Sequence, residues 1–350
     1  MKHRTILSVD YHDENCVIRR YDGNTGQETV QTIPTRRELL LEVVASSRKG
    51  LPVGGELIWI QESTTGWLRM QSLLNGQVEK FLLANTLKLP KRPKDGRRKT
   101  DRGDTQRILH EYLLNRLGLA DQPDRALREA RRLVSYRENL VSRQTALKNW
   151  INRHLAHESW EDRRNLWSGR GRKRFQTFVA QQSAIDQLIL QGKLDELDRL
   201  ARELEKVIKA MQVLYDQWPE AKRLDAIKGI SVVSAVSIMA RIGSIDRFPS
   251  ADHLIGYAGL NPGVRQSDAT RRDGHLGGGG TDTHLRHYLI EASVWARHLP
   301  RYRKTYERVA KRRGQRIGRL QVCRMMLRSI YKMLRDDVDF TPSSENPLQA

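Results

Sequence analysis

Two aspartates, Asp101 and Asp104, stand three positions apart in KTDRGDTQRILHEYL, directly after the basic run KLPKRPKDGRRK. On a helix, residues three apart project from neighbouring positions on one face, so the two carboxylates form a pair. Two further acids close apolar, strand-like runs: Asp10 ends TILSVD and Glu62 lies in ELIWIQES. In an α/β sheet the carboxyl ends of neighbouring strands converge on one edge. A helix packed across that edge would bring its acidic pair to the same place. Carboxylates about 4 Å apart repel by roughly 4 kcal/mol at an effective dielectric of 20. Such a cluster persists when divalent cations neutralise it, and oxygen-only donors select Mg2+ or Mn2+ over zinc. The chemistry to expect is polarisation of a phosphodiester, with both the attacking and the leaving oxygen stabilised. Each acid alone also reads as structural: Asp101 as a helix cap or dipole partner, Asp10 and Glu62 as strand-end turn residues. The order D-E-D-D favours the metal site.

The basic residues beside that pair, Lys91, Arg92, Lys94, Arg97, Arg98 and Lys99, would hold a phosphate backbone by charge; the alternative is a solvated charge run. A second group of chemistry-bearing residues lies in NPGVRQSDATRRDGHLGGGG, where Ser267 is flanked by Arg265, Arg271 and Arg272. A serine hydroxyl is a weak nucleophile unless a base or metal activates it. Guanidinium groups nearby can stabilise the charge that builds when it attacks phosphorus, and glycines allow close approach of backbone to a duplex. Read on its own, Ser267 is more simply a turn former. No Ser/His/Asp ordering is evident, and His275 and His284 read as DNA contacts or surface residues. Upstream, KGIS contributes Lys228 and Gly229 to a glycine turn whose backbone N–H groups would face a phosphate.

The whole chain fits a polyanionic partner. Its 350 residues carry 62 Lys and Arg against 41 Asp and Glu, a formal charge of +21, with a pI near 10.3. Nucleic acid is the first candidate for that imbalance. A membrane surface is disfavoured, because no long apolar segment, signal peptide or lipidation motif is evident. Cys16 and Cys323 are the two cysteines, and without a CxxC or Cys/His cluster neither structural zinc nor a disulfide framework is expected. A reducing, cytoplasmic setting follows.

Three stretches must position these residues. Residues 1–125 alternate strand and helix patterns: TILSVD, NCVIRRYD and ETVQTIPT as strands, RRELLLEVVASSRK as a helix with Leu40, Val43 and Val44 on one face. ELIWIQES reads as a buried central strand. GWLRMQSLLNG is helical, VEKFLLAN a strand, and DTQRILHEYLLNRLG a closing helix. Residues 126–218 are helical. Leu190, Leu194, Leu197, Ala201, Leu204, Ile208, Met211, Tyr215 and Trp218 step by four and three, a heptad seam, and Leu133, Leu140 and Leu147 mark its partner. Residues 219–336 hold short helices around KGIS, as in a helix-hairpin-helix. ADHLIGYAGLNP fits a second such hairpin, followed by a loop too glycine-rich to be regular. A helix then begins near Asp282, with Leu285, Leu289, Ala292 and Trp295 inward. The tail, 337–350, is expected to be disordered. The fold class expected is an α/β RuvC/RNase H-like domain, then a long coiled-coil segment and an all-α domain containing the helix-hairpin-helix.

The D-E-D-D order in VD, QES and TDRGDTQRI resembles the RuvC-like domain of the insertion-sequence-one-hundred-ten family of transposases, regarded as bridge-RNA-guided recombinases. GISVVSAVSIMARIG and FPSADHLIGYAGLNPGVRQS are similar to that family's second domain, and THLRHYLIEAS to its YLR-type segment. The resemblance implies Asp10, Glu62, Asp101 and Asp104 as Mg2+ ligands, with Mn2+ an alternative. It implies Ser267 as the nucleophile that becomes covalently joined to DNA. Donor and target DNA, a guide RNA and a homo-oligomer, dimer or tetramer, are the partners it implies, in a bacterial, nucleoid-associated setting. RuvC-like and serine domains of different protomers would complete each active site. Two departures stand out: DYHDENC follows the first Asp where the family has a small residue and Lys, and DATRRDGHLGGGG follows the serine in place of a Gly and a Lys/Arg-Gly turn. Competing expectations are a metal-dependent junction nuclease with a structural Ser267, and a non-catalytic nucleic-acid scaffold.

Overall fold

A computed structural model describes residues 3–64, 66–86, 89, 101–157, 165–261, 263–267, 270–274 and 281–342. The chain divides into two units, Met1–Gln122 and Pro123–Ala350.

The first unit is built on a five-stranded sheet in the order β3-β2-β1-β4-β5. Strands β1 (Arg4–Tyr11), β2 (Asn15–Asp22) and β3 (Glu28–Pro34) form an antiparallel meander. Strands β4 (Glu56–Glu62) and β5 (Lys80–Ala84) run parallel to β1, and parallel pairing requires a crossover. Helix α1 (Arg37–Lys49) precedes β4, and α2 (Trp67–Leu74) connects β4 to β5. Side chains alternate across each strand. Leu7, Val9, Leu57 and Trp59 therefore pack on one face with Leu40 and Val44 of α1 and Met70 of α2. Ile6, Ile58 and Ile60 pack on the other with Ile108 and Leu109 of α3 (Asp101–Leu113). Cover on both faces explains why ELIWIQ is apolar without alternation.

The second unit is mostly helical. Helices α4 (Arg125–His157) and α6 (Ala184–Gln217) lie antiparallel, since Tyr136 meets Glu203 while Arg143 pairs with Glu196. Between them in sequence is α5 (Gly169–Ala180). The chain continues through α7 (Pro219–Asp225), α8 (Val232–Ile242), a 3-10 turn (Ile245–Arg247) and α9 (Ala251–Tyr257). A β6–β7 ribbon (Gly263–Ser267, Thr270–Gly274) follows, then α10 (Thr283–Ala296), α11 (Pro300–Arg313) and α12 (Gln315–Arg335). One core joins Val134, Leu140, Leu200 and Met211 of the long helices to Ile238, Leu289 and Met326 of the shorter ones. Among the described residues, no helix is long and apolar enough to cross a membrane.

Four expectations need correction. Ala201 and Ile208 are exposed, and Leu200 and Val207 are buried in their place. The stripe keeps Leu190, Leu194, Leu197 and Met211 but takes Leu200 and Val207 between them, because the side chains packed against this helix bury those positions. Trp295 is 59% exposed; after Leu285, Leu289 and Ala292 the helical stripe continues to Ala296 instead. The stretch taken for an irregular loop holds the β6–β7 ribbon, because Val264, Gln266 and Thr270 precede the glycine run and tolerate extended backbone. Part of the expected tail is packed: Phe340 is buried beside Tyr302, and Arg301 N–H donates to the Pro342 carbonyl. Its aromatic ring outweighs the polar composition around it.

Candidate metal centre

Asp10 lies one residue before the end of β1 and Glu62 at the end of β4. The parallel register pairs Val9 with Gln61, which sets Asp10 and Glu62 at the same end of adjacent strands. Alternation places Asp10 with Ile6 and Ser8, and Glu62 with Ile58 and Ile60, on the face that α3 covers. Asp101 and Asp104 form the first turn of that helix.

Two hydrogen bonds seat that turn on the sheet, and a third braces it from within. The Ser8 hydroxyl donates to the Thr105 carbonyl at 2.8 Å, a buried contact between β1 and α3. Arg19 of β2 donates to the Arg102 carbonyl at 3.2 Å while paired with Glu28 at 2.6 Å. The Thr105 hydroxyl donates to the same Arg102 carbonyl at 2.9 Å. Asp104 is consequently buried, and Asp101, one turn-start earlier, is half-exposed.

His12 completes the group. Its Nε2 lies 3.4 Å from Asp10 Oδ1 and 3.8 Å from Asp101 Oδ2. One donor atom each from Asp10, His12 and Asp101 falls within 4.8 Å of the others. Asp104 and Glu62 are outside that set, although Asp104 acts on Asp10 through its charge. Burial pushes the Asp10 carboxyl above its ordinary range, and the neighbouring Asp101 and Asp104 carboxylates push it further, while His12 opposes them. A buried carboxylate among like charges, within a few ångströms of an imidazole, fits a divalent cation: the cation would remove the repulsion and accept all three donors. His12 was not anticipated as a donor, though the spacing Asp-x-His at a strand end could have signalled it.

Lys91, Arg92, Lys94, Arg97, Arg98 and Lys99 lie outside the described residues, as does His275. Ser267 is the last residue of β6, opposite Thr270, and the ribbon pairs Arg265 with Arg272 and Gln266 with Arg271. The chain segment bearing the ribbon is tied at its two ends. Asp282 N–H donates to the Tyr257 carbonyl at 2.7 Å, and the Tyr257 hydroxyl donates back to Asp282 Oδ2 at 3.1 Å. Asp282 also caps α10 by accepting from Leu285 N–H at 2.9 Å. His284 is not a free contact: its Nδ1 is 2.9 Å from Glu138 of α4.

Lys228 is exposed in the turn between α7 and α8. Gly229 beside it has φ +101, and a Cβ there would come within 2.4 Å of the Ala292 carbonyl oxygen. Packing of this turn on α10 therefore accounts for the glycine without any phosphate. Ser231 begins α8 with a reciprocal capping box to Ser234.

The sequence matches two family descriptions. Residues 8–158 match a transposase family of the DEDD, IS110 type, and residues 221–307 match the transposase IS116/IS110/IS902 family. The chain is similar to the uncharacterized 43.6 kDa protein of insertion element IS110 from Streptomyces coelicolor. That likeness is 28% identity over 148 residues, 42% of this chain and 36% of that protein. It is also similar to the candidate transposase y4qE of Sinorhizobium fredii, 26% identical over 225 residues, 62% of this chain and 52% of that protein. The matched stretches thus span about a third and a half of those relatives' own lengths.

Proposed function

Because the chain belongs to the IS110 family of transposases, we propose that it is a DNA recombinase of an insertion sequence, joining donor to target DNA under the direction of a bridge RNA. The observation that carries this reading is the convergence of Asp10, Asp101 and Asp104, from a strand and a helix far apart in sequence, on the sheet edge that Glu62 also reaches. Unneutralised, that arrangement costs stability, and proteins retain such costs at functional sites. Asp10, Glu62, Asp101 and Asp104 would hold Mg2+, which supplies Lewis-acid polarisation of a phosphodiester.

The chain's own residues do the rest. Ser267 Oγ bonds to phosphorus as the deoxyribose oxygen leaves, the serine hydroxyl proton passing to that oxygen so that it departs as a free hydroxyl; the strand is held as a phosphoserine ester and its energy is kept for rejoining. Arg265, Arg271 and Arg272 neutralise the phosphoryl oxygens, and the basic residues 91–99 track the backbone. The α7–α8 turn acts as a helix-hairpin-helix, with Lys228 at the phosphate. The antiparallel α4–α6 pair acts as a coiled-coil arm for assembly of a dimer or tetramer, in which the acidic site of one protomer meets the serine ribbon of another. A net charge of +21 supports simultaneous contact with DNA and RNA.

The test is direct. Protein incubated with copurifying RNA and target DNA, then denatured, should yield a DNA–protein adduct that Ser267→Ala abolishes. Asp10→Ala and Asp104→Ala should lose all strand breakage. Breakage by Ser267→Ala with no adduct at any time would replace this reading by a junction nuclease. Products unchanged by the aspartate variants would leave only a nucleic-acid scaffold.

A further inference from the structure

Resting on the metal reading above, we propose that His12 is a direct ligand of the centre, so that imidazole joins the carboxylates and biases the site toward Mn2+ over Mg2+. His12 sits in the tight turn between β1 and β2, and its backbone is held on both sides. Its N–H donates to the Asn15 carbonyl at 3.2 Å, and its carbonyl accepts from the Thr35 hydroxyl at 2.7 Å. Thr35 N–H in turn donates to the Glu14 carbonyl at 2.8 Å. The imidazole therefore projects from a fixed point of backbone.

It projects toward carboxylates of two different elements, although it is 57% exposed and has solvent available. A simple hydrogen bond to Asp10 is the rival explanation. That bond is long at 3.4 Å, and the 3.8 Å to Asp101 lies beyond hydrogen-bond range, so a bond to Asp10 alone does not account for the second approach. Donors each about 2.1 Å from one octahedral ion stand about 3 Å apart in adjacent positions. Three atoms from β1, the turn and α3, all within 4.8 Å, come close to that spacing before any ion draws them in.

The donor type decides the preference. Mg2+ is hard, takes oxygen ligands and keeps its waters. Imidazole suits the first-row transition ions, whose affinity for nitrogen exceeds that of Mg2+. A site of four carboxylates would carry no such bias. One nitrogen in place of an oxygen introduces it without altering the charge that the acids supply.

The experiment uses the full chain with Mn2+ as probe. Electron paramagnetic resonance counts bound against free Mn2+, and its pulsed form reads coupling to a ligating imidazole nitrogen. The wild type should show that coupling; His12→Ala and His12→Gln should lose it. In a Mg2+ competition, the Mg2+ needed to displace half the Mn2+ should fall ~10-fold or more for His12→Ala. Absent nitrogen coupling in the wild type, or unchanged competition in both variants, would overturn the ligand role of His12 and leave the carboxylate centre standing. Failure of the wild type to bind Mn2+, or binding that Asp10→Asn leaves undiminished, would overturn the carboxylate centre and this inference together.

Discussion

Replacing Asp10 by Asn should stabilise the metal-free protein. In the native state the Asp10 carboxylate is buried and faces Asp101 within 4.8 Å. At that separation two unit charges repel by about 3.5 kcal/mol at an effective dielectric of 20 and by about 0.9 kcal/mol in bulk water. Asp101 is 53% exposed, which moves the figure toward the lower limit, and His12 offsets part of it. A net cost of ~1–2 kcal/mol remains, or roughly 3–10 °C in the melting of a unit the size of Met1–Gln122. The sign with pH follows from linkage. The folded protein holds the Asp10 proton more tightly than the unfolded chain does, so the cost is full when both states are ionised. It fades as pH falls toward the ordinary value of 3.8. Thermal melts in chelator should therefore place Asp10→Asn above the wild type at neutral pH and level with it in acid. Adding Mn2+ should raise the wild type alone, because the ion binds only the folded carboxylate site. If Asp10→Asn melts lower in chelator at neutral pH, and Mn2+ shifts both proteins equally, the site is not a charge cluster awaiting a cation.

Ser8→Ala should cost ~1–2 kcal/mol, because it strips a buried donor from the Thr105 carbonyl; the same variant should bind Mn2+ more weakly, since the first turn of α3 loses its seat on β1. Gly229→Ala should cost roughly 2–4 kcal/mol, from the left-handed φ together with the clash on Ala292, measurable by denaturant melting without any nucleic acid present. Lys228→Ala should leave that melt unchanged yet reduce the salt slope of DNA binding by about one. Both cysteines are buried, and burial pushes the Cys323 thiol up to about 12; a thiol-specific reagent at neutral pH should therefore react only after unfolding, with two groups per chain.

Much of the first unit is legible because its signals are local. The alternation that sends Ile6 and Ser8 to one face sends Asp10 there too, and the helical period of α1 exposes its Leu40, Val43 and Val44 stripe to view. The placement of Asp10 and Glu62 at strand ends is legible for the same reason. Signals that depend on a partner surface are not legible. The buried stripe of α6 passes from Ala201 to Leu200 because the surface packed against it, not the repeat along the chain, selects the buried position. Trp295 lies outward because the face of α10 that packs runs through Leu285, Leu289, Ala292 and Ala296. Phe340 is retained by Tyr302, a residue far from it in sequence.

By itself, then, the amino-acid order determined which residues carry charge, which strands are buried on both faces and which acids stand at strand ends and at a helix start. Only the tertiary structure decided which atoms meet: that α3 is seated by Ser8 and Arg19 so that Asp101 and Asp104 act on Asp10, and that His12 turns toward them. Periodicity and composition are properties of neighbours along the chain. A donor set is a property of neighbours in space, and its geometry exists only once sheet register and helix docking have been settled by packing.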